Sequence, residues 1–134
     1  MRPAIAYVAT LITFGAVDFV WLSVMAKRLY LPTLGDMLLD DVRIPPAVVF
    51  YLLYPVGVVV FAVLPALKSA NIGAAIGLGA LFGLIAYATY DLTNFATLKN
   101  WNLTITVADM AYGAVATAIA ASAAFMAVKS ISPD

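Results

Sequence analysis

Asp18, Asp91 and Asp109 each lie inside an apolar run long enough to cross a bilayer. A carboxylate in hydrocarbon is costly or takes up a proton, so such a residue marks a ligand site, a proton acceptor or a pathway. The 134-residue chain has no His and no Cys. Acid–base chemistry near neutral pH therefore falls to these carboxyls, or to Tyr, Lys or water. The same absences exclude disulfides, thiolate nucleophiles, haem axial His, zinc sites of the usual kind and Cys-bound iron–sulfur clusters within this chain. A hard-cation site of Asp and Asn stays open on residue type, but no metal ligand set and no cofactor motif is assigned.

The densest segment is Tyr87–Thr97. On a helix Tyr87, Asp91 and Asn94 fall at i, i+4 and i+7, one polar stripe in which a phenol and an amide flank a carboxyl. It reads either as a ligand-coordinating or proton-accepting face, or as a clamp holding neighbouring helices by hydrogen bonds. Asp18 has Phe14 and Leu22 one turn away and Trp21 at i+3, the surroundings of a desolvated acid–base group. The alternative is a helix-end carboxylate paired with Lys27 or Arg28. Asp109 precedes Gly113, Ala116, Ala120 and Ala123, with Tyr112 at i+3. Those small residues read first as a helix-packing face, as do the pairs Gly73/Gly77 and Gly79/Gly83. Tyr51 and Tyr54 complete the candidate site, whose members are Asp18, Trp21, Tyr51, Tyr54, Tyr87, Asp91, Asn94 and Asp109. Tyr7, Tyr30 and Trp101 read as an interfacial aromatic belt.

The elements that must position these residues follow from composition. Hydrophobic residues make up 65% and charged residues 10%, a balance that calls for a lipid solvent. Seven acids, all Asp, balance seven basic residues, so there is no basic stripe for nucleic acid. Four apolar runs, about 4–26, 46–67, 72–98 and 103–127, each exceed the roughly 20 residues that span about 30 Å of hydrocarbon. The first carries Asp18 and leads into Lys27-Arg28, so it reads as a retained helix and not a signal peptide. Backbone groups in lipid must be satisfied internally, which favours helices over any sheet. The expected fold is an all-α integral membrane four-helix bundle, residues 1–134 forming a single transmembrane domain.

The connection over 27–45 is the only long one, and Leu34, Met37, Leu38 and Val42 fall beside Asp36, Asp40 and Asp41. It predicts a short amphipathic surface helix, closed by Pro45-Pro46. The turns at 68–71 and 99–102 are tight and predict antiparallel neighbours. Pro55 and Pro65 are expected to kink the second span. Counting along the helices puts all three aspartates roughly 9–12 Å below one and the same interface. Tyr51 and Tyr54 fall at similar depth, and the other half holds mostly Ala, Gly, Val and Leu. A four-to-three split of Lys and Arg between the two sides leans toward the aspartate side facing the cytoplasm.

Tyr90-Asp91-Leu92-Thr93-Asn94 with Ala96-Thr97 and Trp101, Asp18-x-x-Trp21-Leu22 and Phe50-Tyr51-x-x-Tyr54 together resemble a family of small bacterial four-helix membrane proteins classed as a domain of unknown function. The resemblance covers almost the whole chain. It implies four spans in the bacterial inner membrane and brings no catalytic assignment. Relatives encoded near fatty-acid-modifying enzymes add an association with lipid chemistry.

Three functions are consistent with the residues. The first is an intramembrane site in one leaflet that binds or modifies a lipid-like or small amphipathic molecule, with membrane lipids as partners. As an enzyme it would use one carboxyl as acid–base and the others to orient the substrate. The second is a dimeric proton-coupled small transporter, a homodimer formed through the Gly/Ala helix faces. The third is a structural or assembly subunit whose aspartates bind a partner helix.

Overall fold

The computed structural model describes residues 1–39 and 41–133, and among them there is no strand. Four helices are long and apolar enough to cross a membrane: α1 (Arg2–Met37), α2 (Ile44–Ser69), α3 (Ile72–Thr97) and α4 (Leu103–Ile131). The chain is an all-α four-helix membrane protein.

The first helix runs on where a loop and a separate surface helix were expected. After Met25 it passes through a π-helical stretch, Ala26–Tyr30, a single α turn, Leu31–Leu34, and a 3-10 turn, Gly35–Met37. Leu31 N–H bonds Ala26 C=O, so the ladder slips by one residue just before Pro32, which has no N–H to give. The same device recurs in α2. Its π-helical stretch Val59–Val63 ends with Leu64 N–H on Val59 C=O, directly before Pro65. Pro55, by contrast, lies within the regular stretch Ile44–Val58. Gly35, at φ 51°, ends the α turn and starts the closing 3-10 turn of α1, a positive φ that a Cβ disfavours. Val42 lies outside any helix. Asp40, counted among the acids of that connection, lies outside the described residues.

Both short turns are closed by asparagine caps. The Asn71 side chain accepts from Gly73 N–H at 2.8 Å, and that of Asn102 from Ile105 N–H at 3.0 Å. Each satisfies a backbone donor that a helix start leaves without an intrahelical acceptor.

The closest helix pair is α3 with α4. A Cβ on Gly83 would collide with Gly113 C=O and meet Thr117 Oγ1 at 2.6 Å, and one on Gly79 would meet Ala121 Cβ at 2.9 Å. Gly113 is in turn covered by the Tyr87 ring. The Gly79/Gly83 pair is thus a backbone contact inside the bundle. Nothing lies within 4 Å of a Cβ placed on Gly77. The central helix is α4, with Ala116, Ala120, Ala121, Ala124 and Val128 buried among Val58, Val63 and Ala66 of α2. The first half of α2 packs on α1, and its aromatic side chains fill the space toward the other helices.

Gly83→Ala is expected to push α3 from α4 and lower stability by about 1–3 kcal/mol, whereas Gly77→Ala is expected to be neutral or mildly stabilising. Thermal unfolding of the purified variants in detergent reads the contrast. Equal effects at the two positions would show that the α3–α4 seam is not the tight contact.

Candidate functional site

The C-terminal parts of α1 and α3 and the N-terminal parts of α2 and α4 share one end of the bundle, and all three aspartates are buried there. Asp18 is held by two phenols from different helices. Tyr112 Oη donates to its Oδ1 at 2.6 Å, and Tyr51 Oη donates to its Oδ2. Lys27 and Arg28 stay exposed, so the tyrosines, and not a basic pair, satisfy this carboxyl. Asp109 Oδ1 accepts from Tyr30 Oη, which itself accepts from Trp21 Nε1 at 2.9 Å. The Trp21 ring lies on that of Tyr112, with centroids 4.2 Å apart and planes 17° from parallel. One connected assembly of aromatic side chains therefore links Asp18 to Asp109.

Asp91 is the third aspartate. Its side chain is fully buried, and neither carboxyl oxygen has a hydrogen-bond partner among the described residues. A buried polar group without a partner is costly, and most costly as an ion.

A cleft of about 510 Å³ opens in front of Asp18 and Asp109. Leu22, Leu34, Leu38 and Phe50 give it apolar walls, and Tyr30, Tyr87, Tyr90 and Tyr112 line the remainder. Among the described residues no Lys or Arg contributes to its lining. Leu34 and Leu38 come from the segment expected to lie apart as a surface helix. Leu34 is buried there in a small cluster with Leu29, Trp101 and Ile105.

Of the residues singled out from sequence, Asp18, Trp21, Tyr54, Tyr87 and Asp109 face this cleft. Tyr51 reaches Asp18 from outside it, lining a neighbouring groove. Tyr54 hydrogen-bonds with Thr117 Oγ1 at 2.9 Å. The stripe Tyr87–Asp91–Asn94 is divided: Tyr87 lines the cleft, while buried Asp91 and half-buried Asn94 are not part of the wall. Sequence reasoning assigned Tyr30 and Trp101 to an interfacial belt. Tyr30 instead bonds Asp109, and Trp101 is buried with its indole N–H unpartnered. The clue for Tyr30 was its position in a helical continuation of α1, which the breakers around Pro32 and Gly35 obscured. Tyr90, exposed beside the cleft, sets its ring edge-on to Trp101 at 5.5 Å.

The two kinds of carboxyl predict opposite responses to amidation. Asp91→Asn removes a buried acid that has no hydrogen-bond partner and should raise stability by up to about 1 kcal/mol. Asp18→Asn sets an amide N–H₂ against one of two phenol donors and should lower it by about 1–3 kcal/mol. Thermal unfolding of both variants measures the two signs. A loss at Asp91 as large as that at Asp18 would show that Asp91 is partnered after all.

No curated protein and no solved structure matches the chain. The family described as predicted membrane protein (DUF2177) matches residues 3–126. That description carries no activity, and the resemblance seen in the sequence is to a family of the same kind. By this match, which takes in all three aspartates and every residue of the cleft, the chain belongs to the DUF2177 family of membrane proteins.

Proposed function

We propose that the protein binds a lipid-like or small amphipathic molecule within one leaflet of the bacterial inner membrane, its polar end against Asp18 and Asp109 and its apolar part along the cleft. The observation that carries this reading is the cleft itself: apolar and aromatic walls with two buried carboxyls at one place. A few convergent polar groups in an otherwise apolar concavity is the usual make-up of a small-molecule site. Each oxygen of Asp18 already receives one phenol, and a carboxylate oxygen can accept a further donor. The hydroxyls keep the carboxyls oriented while a ligand is absent, which lowers the ordering cost of binding.

The dimeric transporter has less support. The far half of the core is Ala, Val, Leu and Phe around α4, without the polar lining a through-path requires. The Gly79/Gly83 face is occupied within the bundle, which leaves Gly73/Gly77 for any second copy. An assembly subunit would insert a partner's basic side chain into the same cleft, and the two readings part on what co-purifies.

Native mass spectrometry of the protein extracted from its own membrane tests the proposal. An amphiphile of defined mass should be retained by the wild type. Asp18→Ala and Tyr112→Phe should each weaken its retention by about tenfold or more. Retention that is equal in wild type and both variants would refute the site.

A further inference from the structure

Two apolar grooves on the outer surface flank α2, one on each side, and each shares lining residues with the cleft. On the α1 flank a groove of about 530 Å³ is lined by Gly15, Phe19, Leu22, Ser23 and Tyr51. It shares Leu22 with the cleft, and Tyr51 is the donor to Asp18. On the α3 flank a groove of about 340 Å³ is lined by residues that include Leu53, Val56 and Phe82. It shares Phe50 and Tyr54 with the cleft. The first half of α2 stands between the grooves, held mainly by α1 and by contacts among aromatic rings.

We infer that the ligand is a two-chain lipid that straddles α2, with one chain leaving the cleft through each groove and a head group that donates hydrogen bonds to the aspartates. The inference rests on the reading of the cleft as an amphiphile site and names the class of amphiphile. A single polar pocket with apolar grooves beside it on both sides of one helix suits a forked molecule. A one-chain amphiphile would leave one groove to bulk lipid. Chains in a bilayer are already out of water, so the selectivity comes from van der Waals fit and the anchored head. The head is narrowed by charge. Among the described residues two carboxyls line the cleft and no Lys or Arg does, so a hydroxyl or amine is matched and a phosphate seated beside them is repelled.

The test uses the full-length protein in detergent micelles, with binding read by native mass spectrometry. The probes are a dialkylglycerol, a monoalkylglycerol in which a methyl group replaces the second chain, and the phosphate ester of the dialkylglycerol. The first should bind about tenfold or more tightly than either of the others. Two variants fill the grooves separately. Gly15→Phe enters a space where a Cβ meets nothing within 4 Å, and Leu53→Trp replaces an exposed side chain. Each should erase the preference for two chains, with unchanged thermal unfolding as the folding control. Equal binding of one-chain and two-chain probes, or a preference that survives both variants, would overturn the forked ligand and leave the amphiphile site standing. Tighter binding of the phosphate ester would overturn the head-group assignment. If none of the three probes binds, the amphiphile reading itself fails.

Discussion

The backbones of α3 and α4 approach so closely at Gly79 and Gly83 that no Cβ fits between them. Much of the polar end depends on that contact. With the helices this near, the Tyr87 ring can rest on Gly113. The seam also sets α4 at the centre of the bundle, where Tyr112 can reach Asp18 across the interface with α1. In lipid there is no hydrophobic gain from bringing helices together, so close packing and hydrogen bonds must do it. Here both act through α4.

Tyrosine, not a basic residue, is the partner of choice for the two carboxyls that line the cleft. Three phenols from three helices serve Asp18 and Asp109. A phenol satisfies a buried acceptor without bringing in a second charge to be desolvated. It also keeps an aromatic face for packing, as in the stack of Tyr112 on Trp21. The result is a polar network whose surroundings remain apolar enough for a hydrocarbon ligand.

Proline shapes the two helices that border the grooves. In α1 and again in α2 a π turn precedes a proline, so the helix continues through a residue that cannot donate. In α1 this carries the chain past the expected membrane exit and brings Tyr30 back to Asp109 and Leu34 and Leu38 to the cleft. That continuation turns an apparent connecting loop into part of the site.

The sequence by itself determined the four apolar helices, their tight asparagine-bearing turns and the gathering of Asp18, Asp91 and Asp109 at one end. Hydropathy and rise per residue are properties of the chain alone, and in hydrocarbon they leave few alternatives. It did not separate the roles of the three carboxyls, because spacing places a residue on a helix face without saying what opposes that face. Helix packing is what assigns Tyr51 and Tyr112 to Asp18 and Tyr30 to Asp109, and what leaves Asp91 buried without a donor. The cleft and its flanking grooves were likewise invisible in one dimension. They are the space left where aromatic side chains from four helices meet without closing, and such space exists only once the helices are packed.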